Sequence, residues 1–140
     1  MVTKIHNFLS QAECEKYLQN APHLSIYSFS KVRAKHFRDE DLLNRVKSAL
    51  NIDYELYQNF YQTWGVKSQT ELHNHENPDT LTSIIYLNDD FDGGEFFTKT
   101  ETIKPEPGLL IFFDSKNVWH GVKEIKRNVR KTILTYWMAS

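Results

Sequence analysis

The sequence has little sulfur and no long apolar run. Its single cysteine, Cys14, cannot form an intramolecular disulfide, which is typical of proteins in a reducing compartment. No apolar stretch reaches about 18 residues, so we expect no transmembrane helix. No basic segment followed by an apolar run opens the chain, as it would in a secretory signal. These absences predict a soluble, cytoplasmic protein without a membrane partner.

The sequence also lacks an excess of charge of either sign. It has 17 Lys and Arg against 18 Asp and Glu, a net charge of −1, so bulk electrostatics predict no nucleic-acid partner. There is no phosphate-binding glycine loop, no Gly-x-Gly-x-x-Gly, and no convincing Ser-His-Asp or Cys-His arrangement. We therefore expect the function to depend on a different group of residues.

The first third of the chain predicts two helices. A chain of 140 residues, 40% hydrophobic and 14% aromatic, is large enough to bury one core. Ser10 and Glu13 have the spacing of a capping box, which predicts a helix of about ten residues that ends before Pro22. A second helix is expected from Arg38 to about Leu50, with its leucines on one side. Residues 2–9 and 24–32 are predicted strands.

From Tyr54 onward the pattern changes to short strands. Turn signals occur at Asn77-Pro78-Asp79, at Gly93-Gly94 and at residues 105–108. The predicted strands are residues 54–64, 71–76, 81–87, 95–100, 109–113, 118–122 and 131–138. Helices followed by regularly spaced strands predict an α+β, mainly β sandwich or barrel. We expect one domain over residues 1–140, with helical support in about 1–53 and the β core in about 54–140.

Three of the six histidines lie at the edges of these strands. His73 and His75 are two residues apart, so on a strand their side chains point to the same face. His120 follows after the intervening strands and could complete a set of three ligands. Three protein ligands leave open positions, as a catalytic metal requires. Imidazole alone does not select between iron, zinc, copper and nickel, and scattered surface histidines remain the alternative.

The region from His73 to Trp137 resembles the Fe(II)- and 2-oxoglutarate-dependent dioxygenases, specifically the prolyl-4-hydroxylase-like branch. The resemblance lies in Ser83-Ile-Ile-Tyr-Leu-Asn-Asp-Asp90, Gly93-Gly-Glu-Phe96, Pro105-Glu-Pro-Gly108, Trp119-His-Gly-Val122, Arg130-Lys-Thr132 and Tyr136-Trp137. It implies a double-stranded β-helix, or jelly-roll, supported by N-terminal helices. It further implies that Fe(II), 2-oxoglutarate and dioxygen are used to hydroxylate a prolyl or other protein residue, or a small molecule, with release of succinate and CO2. Ascorbate is an additional cofactor that the resemblance suggests.

The same resemblance implies roles for individual residues. Arg130 corresponds to the family's basic residue that holds the distal carboxylate of 2-oxoglutarate, with the Thr132 hydroxyl beside it. Lys131 is the rival for this role, because only one of two adjacent strand residues can face inward. Tyr86 corresponds to the tyrosine that reaches the same carboxylate. Thr82 and Tyr61 are further candidates for the pocket wall.

One motif departs from the family pattern. The usual first motif is His-x-Asp or His-x-Glu, whereas this sequence has His73-Asn74-His75. The site is then either all-histidine, with His73, His75 and His120 as ligands, or it takes its carboxylate from Glu76 or Asp79. Two other functions stay open on this ground. One is a jelly-roll module that binds a metal or ligand without turnover, and the other is a cupin-like three-histidine dioxygenase that does not use 2-oxoglutarate.

Overall fold

The computed structural model describes residues 1–22, 25–26, 32–76 and 80–139. Within these ranges the chain forms two helices, α1 (Gln11–Gln19) and α2 (Glu40–Leu50), and thirteen strands. The strands are β1 (Thr3–Ile5), β2 (Ser25–Ile26), β3 (Val32–His36), β4 (Tyr54–Trp64), β5 (Thr70–His73), β6 (Thr80–Tyr86), β7 (Asp92–Gly93), β8 (Phe96–Thr98), β9 (Thr102–Ile103), β10 (Leu110–Asp114), β11 (His120–Val122), β12 (Ile125–Arg127) and β13 (Arg130–Ala139). The predicted class, mainly β with N-terminal helices, is confirmed.

The strands form antiparallel sheets. The large sheet has seven strands in the order β1-β10-β6-β13-β4-β3-β2, so that β13 lies between β4 and β6. A smaller sheet has the order β5-β11-β8-β9, and β12 pairs with β7. Across the described ranges these sheets do not join into one closed barrel. The jelly-roll therefore consists of separate sheets, and the two larger ones share a core.

The large sheet is buried on both faces. Its cavity face, defined by Phe60, Ile84, Ile111 and Leu134, forms one hydrophobic cluster with Phe96 and Ile103 of the smaller sheet. Its helix face, defined by Tyr61, Ile85, Leu110, Ile133 and Trp137, packs against Cys14 of α1 and Leu42, Leu43 and Val46 of α2. Alternation along each strand sends neighbouring residues to opposite faces. Both faces of the sheet therefore carry apolar residues, because each face packs against a different layer.

Both helices begin at side-chain caps. The predicted capping box is present, because Glu13 N donates to Ser10 Oγ at 3.1 Å and Ser10 N donates to Glu13 Oε1 at 3.0 Å. Helix α2 is capped by Asp39, whose Oδ1 accepts from Leu42 N at 3.0 Å. It ends at Asn51, in the left-handed conformation with φ 51°. The predicted helices are therefore confirmed, with α2 beginning two residues later than expected.

Several strands differ from the prediction. The first strand is only Thr3–Ile5, because Asn7 has φ 55° and turns the chain. Most of the predicted strand 24–32 and the turn at 77–79 lie outside the described residues, while β3 extends from Val32 to His36 and was not predicted. Strands β7, β9 and β12 were also missed, since two or three residues carry no readable alternation. No helix in the described part of the chain is long and apolar enough to cross a membrane.

Candidate metal centre and ligand cavity

Three imidazoles converge between the two sheets. His73 ends β5 and pairs directly with His120, the first residue of β11. The ring centroids are 4.4 Å apart for His73 and His120, 5.0 Å for His75 and His120, and 5.5 Å for His73 and His75. One nitrogen from each ring lies within 4.8 Å of the other two. The three side chains could therefore hold one metal ion.

Backbone carbonyls set the orientation of two of these rings. His73 Nδ1 donates to Glu71 O at 2.7 Å, and His120 Nδ1 donates to Val118 O at 2.8 Å. A carbonyl oxygen only accepts, so the hydrogen lies on Nδ1 and the lone pair on Nε2. This is the usual arrangement behind a histidine that ligates a metal.

Burial keeps two of the histidines neutral. Burial lowers the pKa of His120 to about 4, although its bond to Val118 acts in the opposite direction. Burial, and then the nearby His73, also lower the pKa of His75. A neutral imidazole is the form that binds a metal, so these rings can act as ligands at neutral pH without losing a proton.

Among the described residues, the cluster contains no carboxylate. Glu76 is exposed and is not part of it, so the proposal that Glu76 supplies the third ligand is not supported by the geometry. Asp79, the other carboxylate considered, lies outside the described residues. The residues close enough together to hold one ion are the all-histidine set, His73, His75 and His120.

The histidines lie at one side of a small cleft of about 130 Å³, which is partly open to solvent. The cleft is lined by Gln62, Trp64, Thr70, His73, His75, Thr82, Ile84, Phe96, Phe113, His120, Val122, Arg130, Thr132, Leu134 and Tyr136. Apart from the histidines and a few polar groups, the walls are apolar and aromatic.

A buried cation lies in the same cleft. Arg130 is only 1% exposed, and its guanidinium carbon lies 5.1 Å from the ring centroids of both Trp64 and Tyr86. Arg130 Nη2 is 3.3 Å from Tyr86 Oη, to which it donates, whereas Arg130 Nε has no partner. No acidic side chain in the described part of the chain forms an ion pair with Arg130. A charge in this state is expensive to bury, and an anion that entered the cleft could pair with it.

Neighbouring polar groups extend this anion site. The buried Thr132 Oγ1 also has no hydrogen-bond partner. Tyr86 is fully buried, and burial raises the pKa of its hydroxyl while the charge of Arg130 acts against that rise. Tyr86 therefore remains a neutral hydroxyl beside the guanidinium. Arginine, threonine and tyrosine together could bind one carboxylate.

Strand alternation decides between Arg130 and Lys131. Arg130 pairs with Trp64 across β4 and Thr132 pairs with Gln62, and all four line the cleft. Lys131, which lies between them in the sequence, points to the other face of β13. The geometry therefore places Arg130, and not Lys131, beside the cleft.

Of the two residues predicted to line the pocket wall, Thr82 and Tyr61, only Thr82 lies in the cleft. Thr82 lines the cleft and is hydrogen-bonded through Oγ1 to Ser115 Oγ. Tyr61 lies on the helix face, where its ring contacts Phe37 with centroids 6.2 Å apart. The prediction that Tyr61 lines the pocket was therefore wrong, because its neighbours Phe60 and Gln62 take the positions on the cavity face.

Sequence reasoning also missed residues in the cleft. Trp64 contacts Arg130, and its Nε1 donates to Gln62 Oε1 at 3.1 Å. Tyr136 lies beside His75, with ring centroids 5.7 Å apart. Alternation along β4 places Gln62 and Trp64 on the same face. Which face lines the cleft can be told only when the register of β4 with β13 is known.

Comparisons with known proteins identify a family for the β core of the chain. Residues 57–139 match the family model of the 2OG-Fe(II) oxygenase superfamily. Mouse prolyl 3-hydroxylase 2 is 40% identical over an alignment of 65 residues that covers 40% of this chain and 9% of the relative. The chain thus matches only about a tenth of the length of this curated relative.

Solved structures are similar over nearly the whole chain. The viral collagen prolyl hydroxylase vCPH from Paramecium Bursaria Chlorella virus-1, in its 2OG complex, has a TM-score of 0.75 at 18% identity and covers 99% of this chain and 96% of its own. HygX from Streptomyces hygroscopicus, with nickel, 2-oxoglutarate and hygromycin B bound, has a TM-score of 0.76 at 11% identity and covers 99% and 83%. At these identities the likeness establishes the fold.

Proposed function

The chain belongs to the 2OG-Fe(II) oxygenase superfamily, and on that premise we propose that it is an Fe(II)- and 2-oxoglutarate-dependent hydroxylase. It converts 2-oxoglutarate and dioxygen to succinate and CO2 while it hydroxylates a C–H bond of its substrate. We further propose that residues 1–140 act as one oxygenase domain.

The observation that carries this proposal is the buried guanidinium of Arg130, which has no acidic partner among the described residues. It shares one cleft with three converging imidazoles, and its Nε and the nearby Thr132 Oγ1 both lack partners. A dicarboxylate fits this arrangement, since one end can approach the metal and the other can pair with the cation. Arg130, Thr132 and Tyr86 would hold the distal carboxylate, and Thr82 would form part of the wall.

The histidines fit a divalent metal with open positions. His73, His75 and His120 offer one nitrogen ligand each, which leaves room for 2-oxoglutarate and dioxygen. Bound Fe(II) supplies the activation of dioxygen on which decarboxylation and hydroxylation both depend.

Aromatic side chains shield the site from water. The rings of Phe96 and Phe113 have centroids 5.7 and 4.6 Å from that of His120, and both residues are buried. Ile84 and Leu134 continue the apolar wall toward Arg130. Excluding water strengthens the pairing of the guanidinium with a carboxylate and keeps the imidazoles in their orientation.

The substrate class rests on the relatives. Similarity to prolyl 3-hydroxylase 2 over 65 residues favours a prolyl residue of a protein. HygX was solved with hygromycin B bound, so a small-molecule substrate is the second candidate. Peptides that contain proline are the first substrates to test.

Two further parts of the proposal rest on narrower grounds. Ascorbate as a cofactor is proposed from the family resemblance alone. A cytoplasmic location is proposed because the single cysteine, Cys14, is free and buried, as in proteins from reducing compartments.

Succinate formation tests the proposal. Purified protein is incubated with Fe(II), 2-oxoglutarate, ascorbate and dioxygen, with and without a proline-rich peptide, and succinate is quantified by NMR. We expect succinate from the wild type and none from His120→Ala. Oxygen uptake that does not need 2-oxoglutarate would favour the cupin-like alternative, and metal binding without any turnover would favour the non-catalytic module.

A further inference from the structure

One short turn connects to two of the three metal-site histidines. Residues 115–118 follow β10 and lead into β11. Ser115 O accepts a hydrogen bond from His75 N at 2.8 Å. Val118 O accepts from His120 Nδ1 at 2.8 Å. The carbonyl groups of this turn therefore fix the backbone of one ligand and the ring of another.

A third contact ties the turn to the segment between the first two ligands. Asn74 Nδ2 donates to Lys116 O at 2.9 Å. The buried Ser115 also bonds through its hydroxyl to Thr82 of the large sheet. His75 lies beyond the end of β5, where no strand pairing holds it. The turn thus supplies the support that His75 does not receive from the sheet.

The Asp114 carboxylate organises this turn from within. Its Oδ1 accepts from Lys116 N at 3.0 Å and from Asn117 N at 3.4 Å, and its Oδ2 accepts from Asn117 Nδ2 at 2.7 Å. The backbone adds a bond from Val118 N to Asp114 O at 2.9 Å. Aspartate commonly closes turns in this way, by accepting from the backbone two or three residues ahead. Here the closed turn ends at the carbonyl that orients His120.

We propose that Asp114 is a positioning residue for the metal centre: its carboxylate fixes the 115–118 turn, and the turn in turn fixes His75 and the Nδ1–H tautomer of His120. The proposal rests on the proposed metal-dependent function. Asp114 itself does not belong to the histidine cluster, so it acts through the turn rather than as a ligand. Groups that orient metal-binding histidines affect metal affinity although they never contact the ion.

The first measurement needs no metal. The ¹⁵N chemical shifts of the imidazole nitrogens report which one carries the hydrogen. In the wild-type apoprotein we expect His120 as the Nδ1–H tautomer, and in Asp114→Ala a mixture of both tautomers. An unchanged tautomer in Asp114→Ala would overturn the proposal, whether or not the protein binds iron. This outcome is distinct from failure of the proposed function, which would appear as a wild type that binds no metal.

The second measurement is titration with Co(II), whose visible absorption reports the ligand arrangement. We expect Asp114→Ala to bind Co(II) about 10-fold more weakly or worse, with an altered spectrum. Asp114→Asn keeps an oxygen that can accept from the two backbone amides, so it should recover most of the affinity. If Asp114→Ala does not fold, Asp114→Asn leaves a smaller loss to measure, because its side-chain nitrogen cannot accept from Asn117 Nδ2, and a Co(II) affinity and spectrum identical to the wild type would then overturn the proposal.

Asp39→Ala is the matched control. Asp39 also accepts from a backbone amide, Leu42 N at 3.0 Å, but it caps α2 away from the cleft. Its loss should lower the melting temperature and leave Co(II) affinity unchanged. Equal losses of affinity in Asp39→Ala and Asp114→Ala would overturn the proposal, because general destabilisation would then explain both.

Discussion

Consecutive side chains of β13 enter two different environments. On the helix face, Ile133 packs in the cluster of α1 and α2, and Thr135 Oγ1 accepts from Asn59 Nδ2 at 2.7 Å. On the cavity face, Arg130 is buried without an acidic partner among the described residues, and Thr132 Oγ1 has no partner. One strand therefore combines a face that packs against the helices with a face that lines the cleft.

The helix face is not free of unpaired atoms. Tyr61 Oη and Asn59 Oδ1 also lack partners there, but both groups are neutral. Burial of a neutral hydroxyl or amide costs far less than burial of a charge. The two faces therefore differ because the buried group on the cavity face, Arg130, carries a charge, whereas the groups without partners on the helix face are neutral. Variants on the two faces should therefore separate ligand binding from stability.

The largest effect is expected for the ligand histidines. His120→Ala or His73→Ala removes one of three nitrogens, and we expect the loss of Fe(II) binding in a titration followed by calorimetry. His6→Ala is the control, because His6 lies at the surface beside Glu106. Full retention of iron binding by both variants would remove the basis of the proposed site.

The second prediction concerns the cation. Arg130→Met should weaken 2-oxoglutarate binding by about 2–5 kcal/mol, because the carboxylate loses its buried partner. The same change should raise the free energy of unfolding of the ligand-free protein by about 1 kcal/mol, since an unpaired charge is removed. Lys131→Met, one residue away on the other face, should change neither quantity. A stronger effect of Lys131→Met on 2-oxoglutarate binding would transfer the anchoring role to Lys131.

The third prediction uses a pair of adjacent apolar residues. Ile133→Ala on the helix face and Leu134→Ala on the cavity face each leave a void in a buried cluster. Each should lower the free energy of unfolding by about 2–5 kcal/mol in urea titrations. Only Leu134→Ala should also change the affinity for 2-oxoglutarate, because Leu134 lines the cleft. Equal effects of both variants on that affinity would mean that the faces are not separable.

The smallest effect is expected for single hydroxyl groups. Thr132→Val should weaken 2-oxoglutarate binding by about 1 kcal/mol without lowering stability, because the hydroxyl has no partner in the protein. Thr135→Val should show the reverse, with a loss of about 1–3 kcal/mol in stability, because it leaves the buried Asn59 amide unpaired. Thermal unfolding with and without 2-oxoglutarate measures both quantities. If Thr132→Val destabilised the ligand-free protein instead, its hydroxyl would have a structural partner.

Sequence alone predicted the features that carry a strong local or spaced signal. The capping box at Ser10 and Glu13, the two helices and the long strand from Tyr54 to Trp64 are all present. His73 and His120 meet because they pair across β5 and β11, whereas the predicted strand 71–76 ends at His73 and His75 is held by its bond to Ser115 O. Their roles as ligands remain proposals.

The face that each residue of β4 occupies was not predictable. Because both faces of the large sheet are buried, β4 is aromatic on both, and alternation between polar and apolar residues is lost. Tyr61 was therefore assigned to the cleft, whereas Gln62 and Trp64 line it. The connection of the turn after Asp114 to the histidines was missed for another reason: Asn74 and Lys116, which it joins by a hydrogen bond, lie 42 positions apart, and no local pattern reveals such a contact.

An anaerobic titration with Fe(II) followed by 2-oxoglutarate, monitored by visible absorption, tests most directly whether the histidines and Arg130 form one site. Bidentate binding of 2-oxoglutarate to iron gives a metal-to-ligand charge-transfer band that requires no knowledge of the substrate. We expect the band in the wild type and in Ile133→Ala, much higher 2-oxoglutarate concentrations for it in Arg130→Met, and no band in His120→Ala. Iron binding without the band in the wild type would contradict this claim, because the cation and the three histidines would then not bind 2-oxoglutarate together.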